Sequence, residues 1–164
     1  MNMDKKLNNH PIEYKVVEEL KKQNLVISTA ESCTGGLLAS CIVSVAGASS
    51  IFKEGYITYC DNAKIHMLGV CKETLQTYYA VSSQTAIEMA KGCANVSGAD
   101  IAISITGVAG PDMEDNKPVG LVYIGCCYKN HCKAYEFHFS GDRTSIRNQA
   151  VEEAFSIILD TICK

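Results

Sequence analysis

Apolar residues recur at helical spacing just inside the chain: Ile12, Val16, Val17 and Leu20 share one face of a helix that Pro11 opens at its first position and Asn24 ends. Residues 25–29 then read as a short buried strand. Residues 35–46 read as a helix stopped by Gly47, and residues 55–60, rich in β-formers, as a second strand. Asp61 caps a short helix that runs to Leu68, with Gly69 as its C′ residue. A second short helix spans 72–78, and Ser82 caps a longer one over 83–96 that turns Ile87, Ala90 and Ala94 inward. Residues 101–105 are a third strand, and 107–118 a loop by their glycine, proline and charge. Residues 119–128 and 132–139 form a hairpin over Lys129, Asn130 and His131. A long helix over 142–162 closes the chain, with Ile146, Ala150, Ala154, Ile157 and Ile158 on one stripe.

Helices alternate with strands early and a hairpin comes late. That order predicts a mixed sheet of five to six strands with helices on both faces, one three-layer α/β/α domain over residues 10–164. The polar residues 1–9 read as a loose tail and not as a secretory signal. The length of 164 residues and a hydrophobic fraction of 47% fit one domain with one core. A net charge of -3 with interspersed signs offers no basic stripe, so no nucleic-acid partner is expected. No apolar run approaches about 18 residues, so no membrane span is expected, and the chain reads as a soluble cytoplasmic protein. The nine cysteines are irregularly spaced and lack any C-x-x-C pair. Several, such as Cys41, Cys93 and Cys126, lie in apolar runs, so reduced thiols are expected rather than a disulfide framework. His10, His66, His131 and His138 show no ligand spacing, and no metal is expected.

Candidate chemistry concentrates at strand-to-helix junctions. The run Ala-Glu-Ser-Cys-Thr-Gly-Gly at 30–36 places a hydroxyl, a thiol and two glycines where α/β proteins bind anions and place nucleophiles. Ser32 is either a helix cap, a job Thr34 can also do, or a nucleophile beside helix N-terminal amides of Cys33, Thr34 and Gly35. Gly35 and Gly36 would let a ligand approach the backbone closely. Cys33 is a rival nucleophile or a half-buried thiol. Lys64 falls at the third position of the helix capped by Asp61, where a cation is poorly placed against the helix dipole. It is either a solvated surface lysine or a general base kept neutral by that field and by burial. Tyr59 either packs on the sheet or relays a proton. The turn at 104–111, with Thr106, Gly107, Ala109 and Gly110, leaves a strand at the edge where open sheets bind ligands, or is an ordinary turn. Arg143 and Arg147 lie one turn apart and suit a phosphate or carboxylate, or else a solvated face behind the cap Asp142.

Together these segments resemble the C-terminal domain family of the CinA competence/damage-inducible proteins, whose stand-alone members are nicotinamide-nucleotide amidohydrolases. The matching stretches are Thr-Ala-Glu-Ser-Cys-Thr-Gly-Gly (29–36), Gly-Tyr-Ile-Thr-Tyr (55–59) with Asn-Ala-Lys (62–64), Gly-Val (69–70) and Ala-Val-Ser (80–82). Further on they are Ser-Ile-Thr-Gly-Val-Ala-Gly-Pro (104–111), Lys-Pro-Val-Gly (117–120) and Gly-Asp-Arg (141–143) with Arg147. The resemblance spans about residues 11–162. Cys60-Asp61 departs from the Ser-Asn frequent in the family, and the loop at 113–116 is its own. The larger CinA proteins carry a further N-terminal domain, outside the stretch that resembles this chain.

The resemblance implies hydrolysis of the carboxamide of nicotinamide mononucleotide to nicotinate mononucleotide and ammonia, without a cofactor. It implies Ser32 as nucleophile with Tyr59 and Lys64 as partners, backbone amides near Cys33 to Gly35 for the oxyanion, and Arg143 in preference to Arg147 for the phosphate. Gly36, Thr106, Gly107, Ala109 and Gly110 would line the nucleotide pocket. The partner expected is a small nucleotide, and apolar faces on the hairpin and last helix suggest a homo-oligomer, a dimer or larger. Two other readings stay open: a catalytically silent nucleotide-binding domain, and a Ser/Lys hydrolase of esters or peptides.

Overall fold

The computed structural model describes residues 10–163, so the tail expected at 1–9 lies outside the described residues. The first strand, β1 (Ile27–Glu31), is buried at every residue and has a strand paired on each side. β1 pairs in parallel with β2 (Phe52–Ile57) on one side and β3 (Ile101–Gly107) on the other. β3 then pairs antiparallel with β4 (Leu121–Tyr128), and β4 with β5 (His131–His138), giving the order β2-β1-β3-β4-β5. The mixed sheet has five strands, within the expected range. Its parallel part brings the C-terminal ends of β1, β2 and β3 to one edge, the edge at which open α/β sheets place ligands.

Both faces are covered because the strands alternate. Ile101, Ile103 and Ile105 of β3 join Ile27, Val122 and Ile124 under α1 (Ile12–Gln23), α2 (Leu37–Val43) and α6 (Arg143–Ile162). These helices contribute Val16, Val17, Leu20, Leu38, Ile42, Ile146 and Phe155. Ala102 of β3 turns the other way and meets Ala30, Leu68, Leu75, Met89 and Cys93 beneath α3 (Asp61–Leu68), α4 (Lys72–Tyr78) and α5 (Ser83–Ser97). On that face the hydroxyls of Ser104 and Thr106 donate to the carbonyls of Ala86 (2.6 Å) and Ala80 (2.8 Å), which ties α5 and its approach to the sheet. The result is one three-layer α/β/α domain.

Several boundaries differ from expectation for identifiable reasons. Pro11 is the N-cap of α1 and Ile12 its first residue. Asn24, at φ 54°, closes the helix, and the Leu25 N–H donates back to the Leu20 carbonyl at 3.0 Å. That six-to-one closure removes Leu25 from the strand, so β1 starts at Ile27 and runs on to Glu31. α2 starts only at Leu37 because Gly35 and Gly36 take φ of 58° and 95°. β2 begins at Phe52, paired with Ile27, and ends before Tyr59. The hairpin turn is Lys129-Asn130 alone, both at positive φ, so His131 already belongs to β5. The expectation of reduced thiols fails at one pair: Cys127 and Cys132 face each other across the hairpin and are joined as a disulfide, with seven free cysteines among the described residues.

Two glycines set how closely α5 packs. A Cβ on Gly92 would lie 1.9 Å from the Leu68 carbonyl oxygen, and one on Gly125 would lie 2.3 Å from that of Ala86. Both neighbours are backbone and cannot swing aside. Gly92→Ala and Gly125→Ala should each destabilise the domain by about 1–3 kcal/mol, despite the better helix propensity of alanine at position 92. Urea unfolding midpoints check this, and an unchanged or raised midpoint for either variant would contradict the packing described.

Candidate active site

The backbone of Glu31 is held on both sides: it stands opposite Ile57 and Ile105, and its carbonyl accepts the Thr58 N–H at 2.8 Å. The Ser32 N–H still donates to Ile105 at 2.9 Å. Past Ser32 the chain leaves the sheet in a tight turn, with the Gly35 N–H on the Ser32 carbonyl (3.1 Å) and the Leu37 N–H on that of Thr34 (3.2 Å). The Glu31 side chain, 1% exposed, crosses under this turn. Its Oε2 accepts from the N–H of Gly36 (3.1 Å) and Leu38 (3.0 Å), and its Oε1 from Ala39 (2.9 Å).

These bonds correct the expected donors. The N-terminal amides of α2 serve Glu31 and no ligand, and the Gly35 amide serves Ser32. Among the described residues, only the Cys33 and Thr34 N–H groups of the turn have no hydrogen-bond acceptor. The cap on α2 is neither Ser32 nor Thr34: its N-cap residue is Gly36, and the buried Thr34 hydroxyl has no partner among the described residues.

The Cys33 thiol is 7% exposed, and burial pushes its pKa from 9.0 to about 12, with the Glu31 charge adding to the rise. It is a protonated thiol at neutral pH, a poor nucleophile. Ser32, at 9% exposure, keeps contact with a cleft of about 540 Å³ at the C-terminal edge of the parallel strands.

Lys64 lines the same cleft. Cys60, not Asp61, is the N-cap of α3, so Lys64 is the fourth helical residue rather than the third. It shares the inner face of α3 with Leu68 and is 1% exposed, which rules out a solvated surface lysine. Among the described residues its Nζ reaches one polar partner, Asp61 Oδ1, at 3.5 Å. Tyr59 follows β2 at 60% exposure and so does not pack on the sheet; it lines the cleft, and its hydroxyl accepts from Arg143 Nη2 at 3.1 Å. Arg143 Nη1 donates to the Gly110 carbonyl at 2.6 Å, so one guanidinium joins the first turn of α6, the end of the β2 segment and the turn after β3.

Thr106, Gly107, Ala109 and Gly110 also line the cleft, with the Thr106 hydroxyl already committed to Ala80. Thr34, Gly35, Gly36 and Arg147 do not line it: Arg147 donates to the Thr34 carbonyl at 2.7 Å and braces the turn from behind. Sequence reasoning missed Glu31, although it stands inside the motif as the one charged residue before a glycine pair. It also missed the acidic rim of Asp61, Asp112, Glu114 and Asp115, for which the charged loop after Pro111 was the available signal.

Known proteins resemble this chain along most of its length. Residues 9–162 match the CinA C-terminal domain family. A CinA-like protein of Kosmotoga olearia is 52% identical over 144 residues, 87% of this chain and 35% of the relative. The chain spans about a third of the length of the curated relatives it matches. Among solved structures, a CinA superfamily protein from Klebsiella pneumoniae superposes with a TM-score of 0.90 at 34% identity, covering 93% of this chain and 96% of that one. A competence/damage-inducible protein from Agrobacterium tumefaciens gives 0.88 at 38% identity, covering 93% and 94%. With the matched region spanning nearly all the described residues and the fold shared with these structures, the chain belongs to the CinA C-terminal domain family.

Proposed function

We propose that this domain is a serine amidohydrolase that deamidates nicotinamide mononucleotide. The observation that carries the reading is the convergence of Ser32, Lys64, Tyr59 and Arg143 on one cleft, with the lysine buried there rather than solvated. A buried amine lining the same cleft as a serine hydroxyl is an arrangement from which a Ser/Lys site can activate its nucleophile.

In this mechanism Lys64 takes the Ser32 proton, directly or through Tyr59, and Ser32 Oγ attacks the amide carbon. The Cys33 N–H, open and at the cleft wall, is the donor that meets the oxyanion; one well-aimed donor is worth about 3 kcal/mol. The proton returns to the leaving nitrogen as the C–N bond breaks and ammonia departs. Water, activated by the same base, then cleaves the acyl ester and regenerates Ser32. Arg143 spends two N–H donors on Gly110 and Tyr59, and its guanidinium retains others for the phosphate. Arg147, committed to Thr34 and away from the cleft, has no direct role with substrate.

Ammonia release from nicotinamide mononucleotide tests the reading. Ser32→Ala should lower kcat at least about 10³-fold in a folded protein. Lys64→Met, which keeps the volume and removes the amine, should lower it by about 10²–10⁴-fold. Absence of release by folded wild type would defeat the proposal, and equal release by Ser32→Ala would remove Ser32 as nucleophile. Faster turnover of simple esters than of the nucleotide would point instead to a general Ser/Lys hydrolase.

The raised Cys33 pKa makes a separate expectation. Cys33→Ala should stay within about threefold of wild type in kcat, because the thiol does no chemistry. At pH 8, iodoacetamide should label exposed Cys60 and leave Cys33 untouched in the native protein, as read by peptide mass spectrometry. Preferential labelling of Cys33 would contradict the burial argument.

A further inference from the structure

We infer that Glu31 is a positioning residue that holds the nucleophile turn and selects which of its amides face the cleft, an inference that rests on Ser32 being the nucleophile. From Ser32 to Ala39, the N–H groups go to Ile105, Ser32, Thr34 and the Glu31 carboxylate, and only Cys33 and Thr34 are left open among the described residues. Three of these bonds end on one side chain. The turn lies between two fixed points: the end of β1, stapled to β2 and β3, and the first turn of α2, stapled to Glu31.

The carboxylate has no ion-pair partner among the described residues, and at 1% exposure it is shut off from bulk solvent. Its burial is compensated by the three amides, which are charge-assisted donors. A glutamine of the same shape cannot do this work: its NH₂ group meets an amide N–H donor to donor, and one end of the clamp lets go. Glu31 also accounts for why an α2 amide is no anion site, since a protein carboxylate already sits there. The residue touches no substrate in this arrangement. Its effect passes through Ser32 Oγ and the Cys33 amide, whose positions relative to a bound carboxamide set the rate of attack.

The experiment compares wild type, Glu31→Gln and Glu31→Asp by amide hydrogen exchange and by steady-state ammonia release from nicotinamide mononucleotide. The expected result for folded Glu31→Gln is faster exchange confined to residues 32–39, by about tenfold, with residues 83–97 unchanged. Its kcat should fall by about 10- to 100-fold while KM stays within about twofold, the pattern of a displaced nucleophile rather than of weakened binding. Glu31→Asp, which keeps the charge on a shorter arm, should recover part of the loss. Wild-type kcat and KM per folded molecule in Glu31→Gln would overturn the inference, as would exchange that rises evenly across the domain. Failure of both variants to fold would also overturn it, making Glu31 a requirement of folding alone. Should wild type itself release no ammonia, the amidohydrolase reading falls by that result, and the exchange pattern decides the role of Glu31 by itself.

Discussion

One carboxylate buried against three backbone amides fixes the relation between the sheet and the helix that follows it. Glu31 ends the fully buried central strand, and its two oxygens hold Gly36, Leu38 and Ala39 at the start of α2. That clamp holds the turn from Ser32 to Gly36 at the cleft edge. It forces the chain between Ser32 and Gly35 outward in a tight turn, it consumes the donors a helix start would otherwise offer to an anion, and it leaves the Cys33 and Thr34 amides open. The same turn is braced from behind by Arg147 on the Thr34 carbonyl, so its position is set from two sides.

The other wall of the cleft is assembled by contacts distant in sequence. α3 carries Lys64 inward because its buried face contains Leu68 one turn on, and α3 itself is pressed against α5 where Gly92 lets the Leu68 carbonyl approach. Arg143, at the start of the last helix, ties Tyr59 to the Gly110 turn. The cleft therefore has a rigid floor built from the parallel strand ends and a mouth held by one guanidinium, rimmed by acidic residues from the loop after Pro111. The Arg143 guanidinium in the cleft and carboxylates at its rim give the site a divided charge, suited to a ligand that is itself charged in more than one place.

The order of elements was readable because periodicity and caps agree locally: Ser82 and Asp142 cap α5 and α6 through Thr85 and Ser145 as their positions suggested. Boundaries were less legible where the deciding contact is nonlocal or a backbone closure, as at Leu25, whose N–H returns to Leu20, and at Gly36, whose φ delays α2. Ser32, Lys64, Tyr59 and the Thr106–Gly110 turn were legible as candidates, and they do share one cleft. The burial of Lys64 was not, since a lysine on a short helix with no amphipathic pattern gives no sign of which way it faces. That Arg147 lies behind the turn and not on the cleft was not legible either, because spacing on α6 shows which residues share a face and not what that face meets. Glu31 escaped notice because a glutamate at a strand end reads as polar and exposed, and only the folded turn reveals three amides converging on it.

The proposed reaction requires a covalent acyl intermediate on Ser32 Oγ in this cleft. Rapid acid quenching of the protein during turnover of nicotinamide mononucleotide, followed by intact-mass and peptide mass spectrometry, tests it directly. The account predicts a nicotinate mononucleotide ester located on Ser32 and absent from Ser32→Ala. Turnover with the adduct on Cys33, or undiminished turnover by Ser32→Ala, would contradict it.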